Sequence, residues 1–228
     1  RRNKFKIRGF LKVNNYGINI WSDDNFVIED GLAKINHDCK PSLISIVKDI
    51  RKQDFKGPLL LRFPHITEKQ INTLYNTFNS SIKEYDYKGA FKAVFPLKVN
   101  QLPNFIHPLI NEGKNFNYGL EAGSKAELVI AMTYNNLGSP ITVNGFKDKE
   151  MIHLGFIAKS MGHDITLIIE GLNELEMIIE VLNETKMESP SIGLRVRLHS
   201  GGSGLWAKSG GINSKFGLTS TEILEAYE

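Results

Sequence analysis

The stretch Ile165-Thr166-Leu167-Ile168-Ile169, followed by Glu170-Gly171-Leu172 and the segment Glu174–Thr185, carries two periods in succession. The first is an apolar run of strand length. In the second, Leu175, Ile178, Ile179 and Leu182 recur at helical spacing, with Asn173 in position to cap the helix. A strand followed directly by an amphipathic helix is one βα unit, and the same unit recurs on both sides.

Toward the C-terminus, Ile192–Leu198 is predicted as the next strand, and Thr219 or Ser220 opens a helix through Tyr227. Toward the N-terminus, Ile141–Asn144 is a strand and Lys149–Met161 its helix, ended by Gly162. Before these, Tyr118–Ala122 is a strand, and Ser124 caps Lys125–Tyr134 with Glu127 three residues on, as a capping box requires. Phe91–Phe95 precedes the helix Leu102–Glu112, which Pro103 and Pro108 weaken. The first unit is Leu59–Phe63 with the helix Glu68–Tyr85, whose apolar side is Ile71, Leu74, Tyr75, Phe78 and Ile82.

Six βα units in unbroken alternation predict an α/β fold with a parallel sheet covered by helices. The sheet is either doubly wound and open or a (β/α)8 TIM-type barrel. Polar groups end several strands: Lys98, Glu121, Asn144, Glu170 and the Arg195–His199 stretch. A barrel gathers such ends around one mouth, and this favours the barrel. A closed barrel needs eight strands, so about six units predict an incomplete one, or a piece of a longer protein.

Residues 1–40 do not supply the missing units. Tyr16–Trp21 and Phe26–Glu29 are predicted as strands split by the turn Ser22-Asp23-Asp24-Asn25, a β segment belonging to a second, β-rich domain. A helix from Pro41 to Lys52, with Ile44, Val47 and Ile50 on one side, leads into the barrel part, residues 41–228. The net charge of +3 over 228 residues, with Lys and Arg dispersed, calls for neither nucleic acid nor a membrane surface. No apolar run approaches the length of a membrane helix, and the basic start Arg1–Arg8 lacks the apolar region of a secretory signal. The single cysteine, Cys39, excludes an intrachain disulfide, so a cytoplasmic location is expected.

Phe95-Pro96-Leu97-Lys98-Val99-Asn100 closes the second strand. A lysine between two apolar residues at a strand end that enters an enclosed core loses hydration. Desolvation lowers its pKa and frees the neutral amine that adds to an aldehyde. Spacing alone leaves the alternative of a lysine that snorkels or pairs with Glu121.

The surroundings of Lys98 resemble the cofactor lysine of the alanine-racemase-like (fold type III) pyridoxal phosphate decarboxylases, and within them most closely the biosynthetic arginine decarboxylases. Four stretches carry the resemblance in order: Phe95–Gln101; Gly119–Leu128; Asn144-Gly145-Phe146-Lys147-Asp148; and Gly202-Ser203-Gly204 through Ser209-Gly210-Gly211 to Ser214-Lys215-Phe216-Gly217-Leu218. Tyr16-Gly17-Ile18-Asn19-Ile20-Trp21 also matches the arginine branch. The resemblance implies a barrel built across a β domain, and a homodimer or homotetramer with shared active sites. It implies a Schiff base of pyridoxal 5′-phosphate on Lys98, decarboxylation of arginine to agmatine, a place in polyamine (spermidine) biosynthesis, and magnesium as a further cofactor. It places Glu121 near the lysine and cofactor, and Arg195 near the cofactor's ring side. The family's ring-stacking imidazole, phosphate-binding glycine loop, acid facing the pyridine nitrogen and second-subunit cysteine lie further along a full-length chain. His199 is therefore not the stacking imidazole.

Other motifs weigh less. Gly202-Ser203-Gly204-Leu205-Trp206-Ala207 fits a dinucleotide-binding pattern, but Ser209-Gly210-Gly211 follows where a helix should begin, so a loop over the mouth or a plain linker is expected. His37, His65, His107, His153, His163 and His199 lack metal-ligand spacing. Glu170 can pair with a basic group or serve as a cap, Asn144 is a candidate for substrate or cofactor contact, and Glu127 belongs to the capping box. Three alternatives stand beside arginine decarboxylation. They are decarboxylation of ornithine, lysine or diaminopimelate; a single-barrel pyridoxal phosphate carrier, against which the six units argue; and a non-catalytic paralogue, against which the presence of Lys98 argues.

Overall fold

The computed structural model describes residues 16–198 and 216–228. The chain forms two compact units, Arg1–Ile66 and Thr67–Glu228. His199 and the dinucleotide-like pattern, with most of the glycine-rich stretch, lie outside the described residues.

In the first unit, β1 (Phe26–Glu29) pairs antiparallel with β2 (Leu32–Ile35) across the turn Asp30-Gly31, both of whose residues have positive φ. The segment expected as a preceding strand is instead a one-turn helix, α1 (Ile18–Trp21). Tyr16 and Gly17 both take left-handed backbone conformations, which turn the chain, and the Trp21 indole closes the turn by donating to the Tyr16 carbonyl at 3.0 Å. Helix α2 (Leu43–Lys52) starts two residues later than the expected Pro41, because the Ser42 hydroxyl accepts the Ser45 amide and so caps it. Leu59–Phe63, expected as the first barrel strand, pairs with no strand among the described residues. A strand exists only where another offers it a ladder, so apolar composition alone could not make this segment one.

The second unit holds a parallel sheet in the order β3-β4-β5-β6-β7: Val94–Pro96, Gly119–Ala122, Pro140–Val143, Asp164–Ile169 and Ser191–Leu194. Among the described residues five strands, not six, make this sheet. Helices α4 (Pro103–Gly113), α5 (Lys125–Tyr134), α6 (Lys149–Ser160) and α7 (Leu172–Thr185) connect them, α3 (Pro64–Glu84) precedes β3, and α8 (Ser220–Tyr227) comes last. Burial alternates along the strands. Leu120, Ala122, Ile141, Val143, Ile165, Leu167 and Ile169 are buried in one core with Leu128, Ile152, Phe156 and Ile178 of the helices. Glu121, Thr142 and Thr166 share one register row on the other face, where they are only partly buried. Strand β7 is shorter than expected because β6 ends at Ile169, opposite Leu194, and the ladder runs out. Beyond it, Val196 bridges to Leu218.

Gly119 opens β4 where a Cβ would lie 1.9 Å from the Pro140 carbonyl oxygen. That atom belongs to the neighbouring strand's backbone and cannot swing aside. Gly119→Ala is therefore expected to destabilise the protein by about 3 kcal/mol, read as a lowered urea midpoint.

Candidate active site

All five strands run in parallel, so their carboxyl ends share one edge of the sheet, and the sequence-expected polar groups lie along it. Lys98 occupies the third position of a turn in which the Val99 amide donates to the Pro96 carbonyl at 3.0 Å. Leu97, fully buried, pins that turn, and its amide donates to the Glu121 carbonyl at 3.0 Å. The turn thus presents the Lys98 side chain, which is exposed rather than enclosed as the sequence suggested. Strand β3 has only three residues and lies at the sheet's edge, which leaves the lysine outside the core. No ion pair joins Lys98 to Glu121, and its amine has no partner among the described residues. Glu121 is partly buried on the strand beside β3, paired in register with Pro96.

The loops behind these residues are tied to one another. Gln101 donates to Glu127 Oε1 at 3.1 Å, and Glu127 Oε2 accepts the Gly123 amide at 2.7 Å. Ser124 does cap α5, but Glu127 closes on Gly123 instead of completing the capping box, so it joins the loop after β3 to the loop after β4. Asn144 donates its amide to the Ala122 carbonyl at 2.9 Å. Lys125 bridges to Asp148, the cap of α6, at 2.7 Å and to Glu150 at 2.7 Å. Lys125 and then the Met151 amide hold the Asp148 carboxyl below its usual pKa, and Asp148 holds the Lys125 ammonium above its own. This tie belongs to neutral pH and is lost as acid protonates Asp148.

Glu170 and Arg195 come together. Arg195 Nη1 donates to Glu170 Oε1 at 3.0 Å and Oε2 at 3.2 Å, and the Gly145 amide donates to Oε1 at 2.9 Å. Of the two roles open to Glu170 in the sequence, pairing with a basic group is the one it takes. The Arg195 guanidinium also lies 5.0 Å above the Phe216 ring, which stacks on Phe146.

Behind this pair is an element that sequence reasoning missed. The side chains of Lys147 and Glu174 are 0% and 1% exposed and meet at 2.8 Å. The Lys147 ammonium also donates to the carbonyls of Gly145, at 2.7 Å, and Ile168. Glu174 accepts the Lys147 amide at 2.9 Å and the Glu170 amide at 2.9 Å. The ammonium thus has two carbonyl acceptors beside its opposite charge, the kind of support a charge pair needs to survive burial. Asn173 is no cap: α7 already begins at Leu172 with Gly171 as its capping residue, so Asn173 lies within the first turn. The available signal was the pair Glu170 and Glu174 around a strand end, with a lysine just after Gly145.

Among the described residues no group of three or more His, Cys, Asp or Glu comes together that could hold a metal ion. No described helix is long and apolar enough to cross a membrane. The donor set does fit an aldehyde cofactor: an exposed primary amine free of partners, an acid on the next strand, and an arginine whose Nε and Nη2 have no partner among the described residues.

The comparisons agree with that chemistry. Residues 68–228 match the family model described as the pyridoxal-dependent decarboxylase, pyridoxal binding domain. The biosynthetic arginine decarboxylase of Bacteroides thetaiotaomicron is 38% identical over 218 residues, covering 93% of this chain and 34% of that protein. The crystal structure of the biosynthetic arginine decarboxylase of Campylobacter jejuni is 58% identical, with a TM-score of 0.84 over 93% of this chain and 34% of that one. A diaminopimelate decarboxylase structure from M. jannaschi shares the fold, with a TM-score of 0.64 at 24% identity over 90% of this chain and 45% of that one. The chain thus spans about a third of the length of the curated relatives it matches. It belongs to the pyridoxal-dependent decarboxylase family, whose pyridoxal-binding domain residues 68–228 match.

Proposed function

We propose that the full-length protein removes the α-carboxylate of L-arginine as carbon dioxide, giving agmatine for polyamine biosynthesis, with pyridoxal phosphate held through Lys98. The observation that carries this is the exposed amine of Lys98, without a partner among the described residues, at the carboxyl edge of a family sheet. When bound, the cofactor supplies a conjugated pyridinium that accepts the electron pair released on loss of the carboxylate. Lys98 would hold the cofactor through its amine. Glu121, on the adjacent strand, accepts hydrogen bonds beside it, and Arg195 offers donors to an anionic oxygen. The tied loops fix these three groups relative to one another, which is the protein's share in orienting the scissile bond.

Arginine as substrate is supported by the identities of 38% and 58% to proteins named as biosynthetic arginine decarboxylases. The same reading makes residues 41–228 part of a (β/α)8 barrel that is incomplete within this chain, and assigns residues 1–40 to a second, β-rich domain. It makes the enzyme a cytoplasmic homodimer or homotetramer with shared active sites; Cys39 is free and exposed. Light scattering after gel filtration distinguishes these assemblies from a monomer. Magnesium has no part in the proposal.

Carbon dioxide release from arginine, ornithine, lysine and diaminopimelate, measured side by side with the purified full-length protein, tests the substrate. Arginine is expected to lead in kcat/KM by about a hundredfold or more, because a site built to hydrogen-bond one polar end group rejects those that leave its donors and acceptors unpaired. A lead for ornithine or diaminopimelate refutes the arginine assignment and keeps the chemistry. Cofactor binding without release from any of the four refutes the enzyme.

A further inference from the structure

Glu170 is an unusual way to end a strand. Its side chain is 0% exposed, yet its carboxylate is spent on an arginine whose side chain is 42% exposed at the sheet's carboxyl edge. Both contacts come from the one nitrogen Nη1. A pair built for stability alone gains most from a two-nitrogen fork, which this geometry forgoes. Nε and Nη2 are left without partners among the described residues. The guanidinium is thus held at one corner by Glu170 and across one face by Phe216 at 5.0 Å, with its remaining donors without partners among the described residues. Glu170 in turn cannot shift. The Gly145 amide holds its carboxylate at 2.9 Å, and its own amide is held by Glu174 at 2.9 Å, within the buried Lys147–Glu174 pair. Rigidity passes outward from a fully buried ion pair, through a buried carboxylate, to a half-exposed arginine.

From this we infer that Glu170 is a positioning residue. It sets the orientation of Arg195 so that Nε and Nη2 meet an anionic oxygen of the bound cofactor or of the substrate carboxylate. The inference rests on the decarboxylase reading above and goes beyond it in naming the residue that acts through Arg195.

A double-mutant cycle in the full-length protein tests it, using Glu170→Gln, Arg195→Met and the pair. Three quantities are read: the affinity of the cofactor-free protein for pyridoxal phosphate by absorbance titration, KM against kcat for arginine, and the melting temperature of the cofactor-free protein. Glu170→Gln is expected to weaken either cofactor affinity or KM by about tenfold, and to add less than about twofold once Arg195 is methionine. A loss in cofactor affinity assigns the oxygen to the cofactor; a loss confined to KM assigns it to the substrate, and both support positioning. Losses that add in full, or a lowered melting temperature with affinity and KM unmoved, overturn the inference and make Glu170 merely structural. Should Glu170→Gln not fold, Glu170→Asp carries the same cycle with the charge retained and the reach shortened. A wild-type protein that binds no pyridoxal phosphate overturns the decarboxylase reading itself, an outcome distinct from additive losses in a protein that does bind.

Discussion

Lys98→Ala in the full-length protein is expected to lower kcat for carbon dioxide release by about three orders of magnitude or more, while leaving the melting temperature where it was. The two halves of that expectation come from the same geometry. The turn Pro96–Val99 is held by its own backbone hydrogen bond and by buried Leu97, and the Lys98 amine has no partner among the described residues. Removing it leaves no cavity and no orphaned group, so the stability change should stay within about 0.5 kcal/mol. Its chemistry, by contrast, has no substitute. Lys98→Arg is expected to fail nearly as badly, because a guanidinium stays protonated and cannot act as the amine nucleophile. The loss should exceed what removal of a single general acid or base costs, about a hundred- to ten-thousandfold at most sites, because a covalent attachment is lost as well. Steady-state kinetics with arginine, next to thermal melting of the same samples, separates the two effects. Full activity in Lys98→Ala would exclude this lysine from the chemistry.

The second large effect is on stability and belongs to Glu174→Gln and Lys147→Met. Each leaves a buried charge uncompensated, and each is expected to destabilise the full-length protein by about 3–5 kcal/mol, measured by urea unfolding. Buried ion pairs elsewhere can often be replaced by two apolar residues at little cost. Here Lys147→Met with Glu174→Leu is expected to remain destabilised. The carbonyls of Gly145 and Ile168 lose their donor, and the amides of Lys147 and Glu170 lose their acceptor. A buried polar group left unsatisfied costs about 1–3 kcal/mol. A double variant as stable as the wild type would show that those backbone groups find other partners.

The alternation of strands and helices from residue 91 onward was legible because each element carries its own period. The β6–α7 unit shows this in part: burial alternates along Asp164–Ile169, and of the apolar side expected on α7 Ile178 is buried, while Ile179 and Leu182 are exposed and Val181 is buried in their place. Local chemistry was legible too, as in Ser124 and Thr219, which cap the helices they were expected to open. What failed was whatever depends on a partner remote in sequence. Leu59–Phe63 has strand composition and no ladder to join. Tyr16–Trp21 has strand composition too, but two left-handed residues fold it into a turn of helix. Asn173 looks like a cap, yet α7 already begins at Leu172, and Glu174 in its first turn reaches Lys147, 27 residues away. The same distance hid the Lys147–Glu174 pair, since a loop lysine and a first-turn glutamate are each ordinary when seen alone. Lys98, Glu121 and Arg195 stood out by family pattern. That Glu170 holds Arg195 became visible only once adjacent strands had placed the two side by side.

The central claim is that Lys98 is the amine that carries the cofactor. The most direct measurement is borohydride reduction of the full-length protein loaded with pyridoxal phosphate, followed by peptide mapping by mass spectrometry. The expected result is a pyridoxyl group fixed on Lys98, within the peptide containing Phe95-Pro96-Leu97-Lys98-Val99, and bleaching of the visible absorbance on reduction. A pyridoxyl group on a different lysine, or none on any, would contradict it.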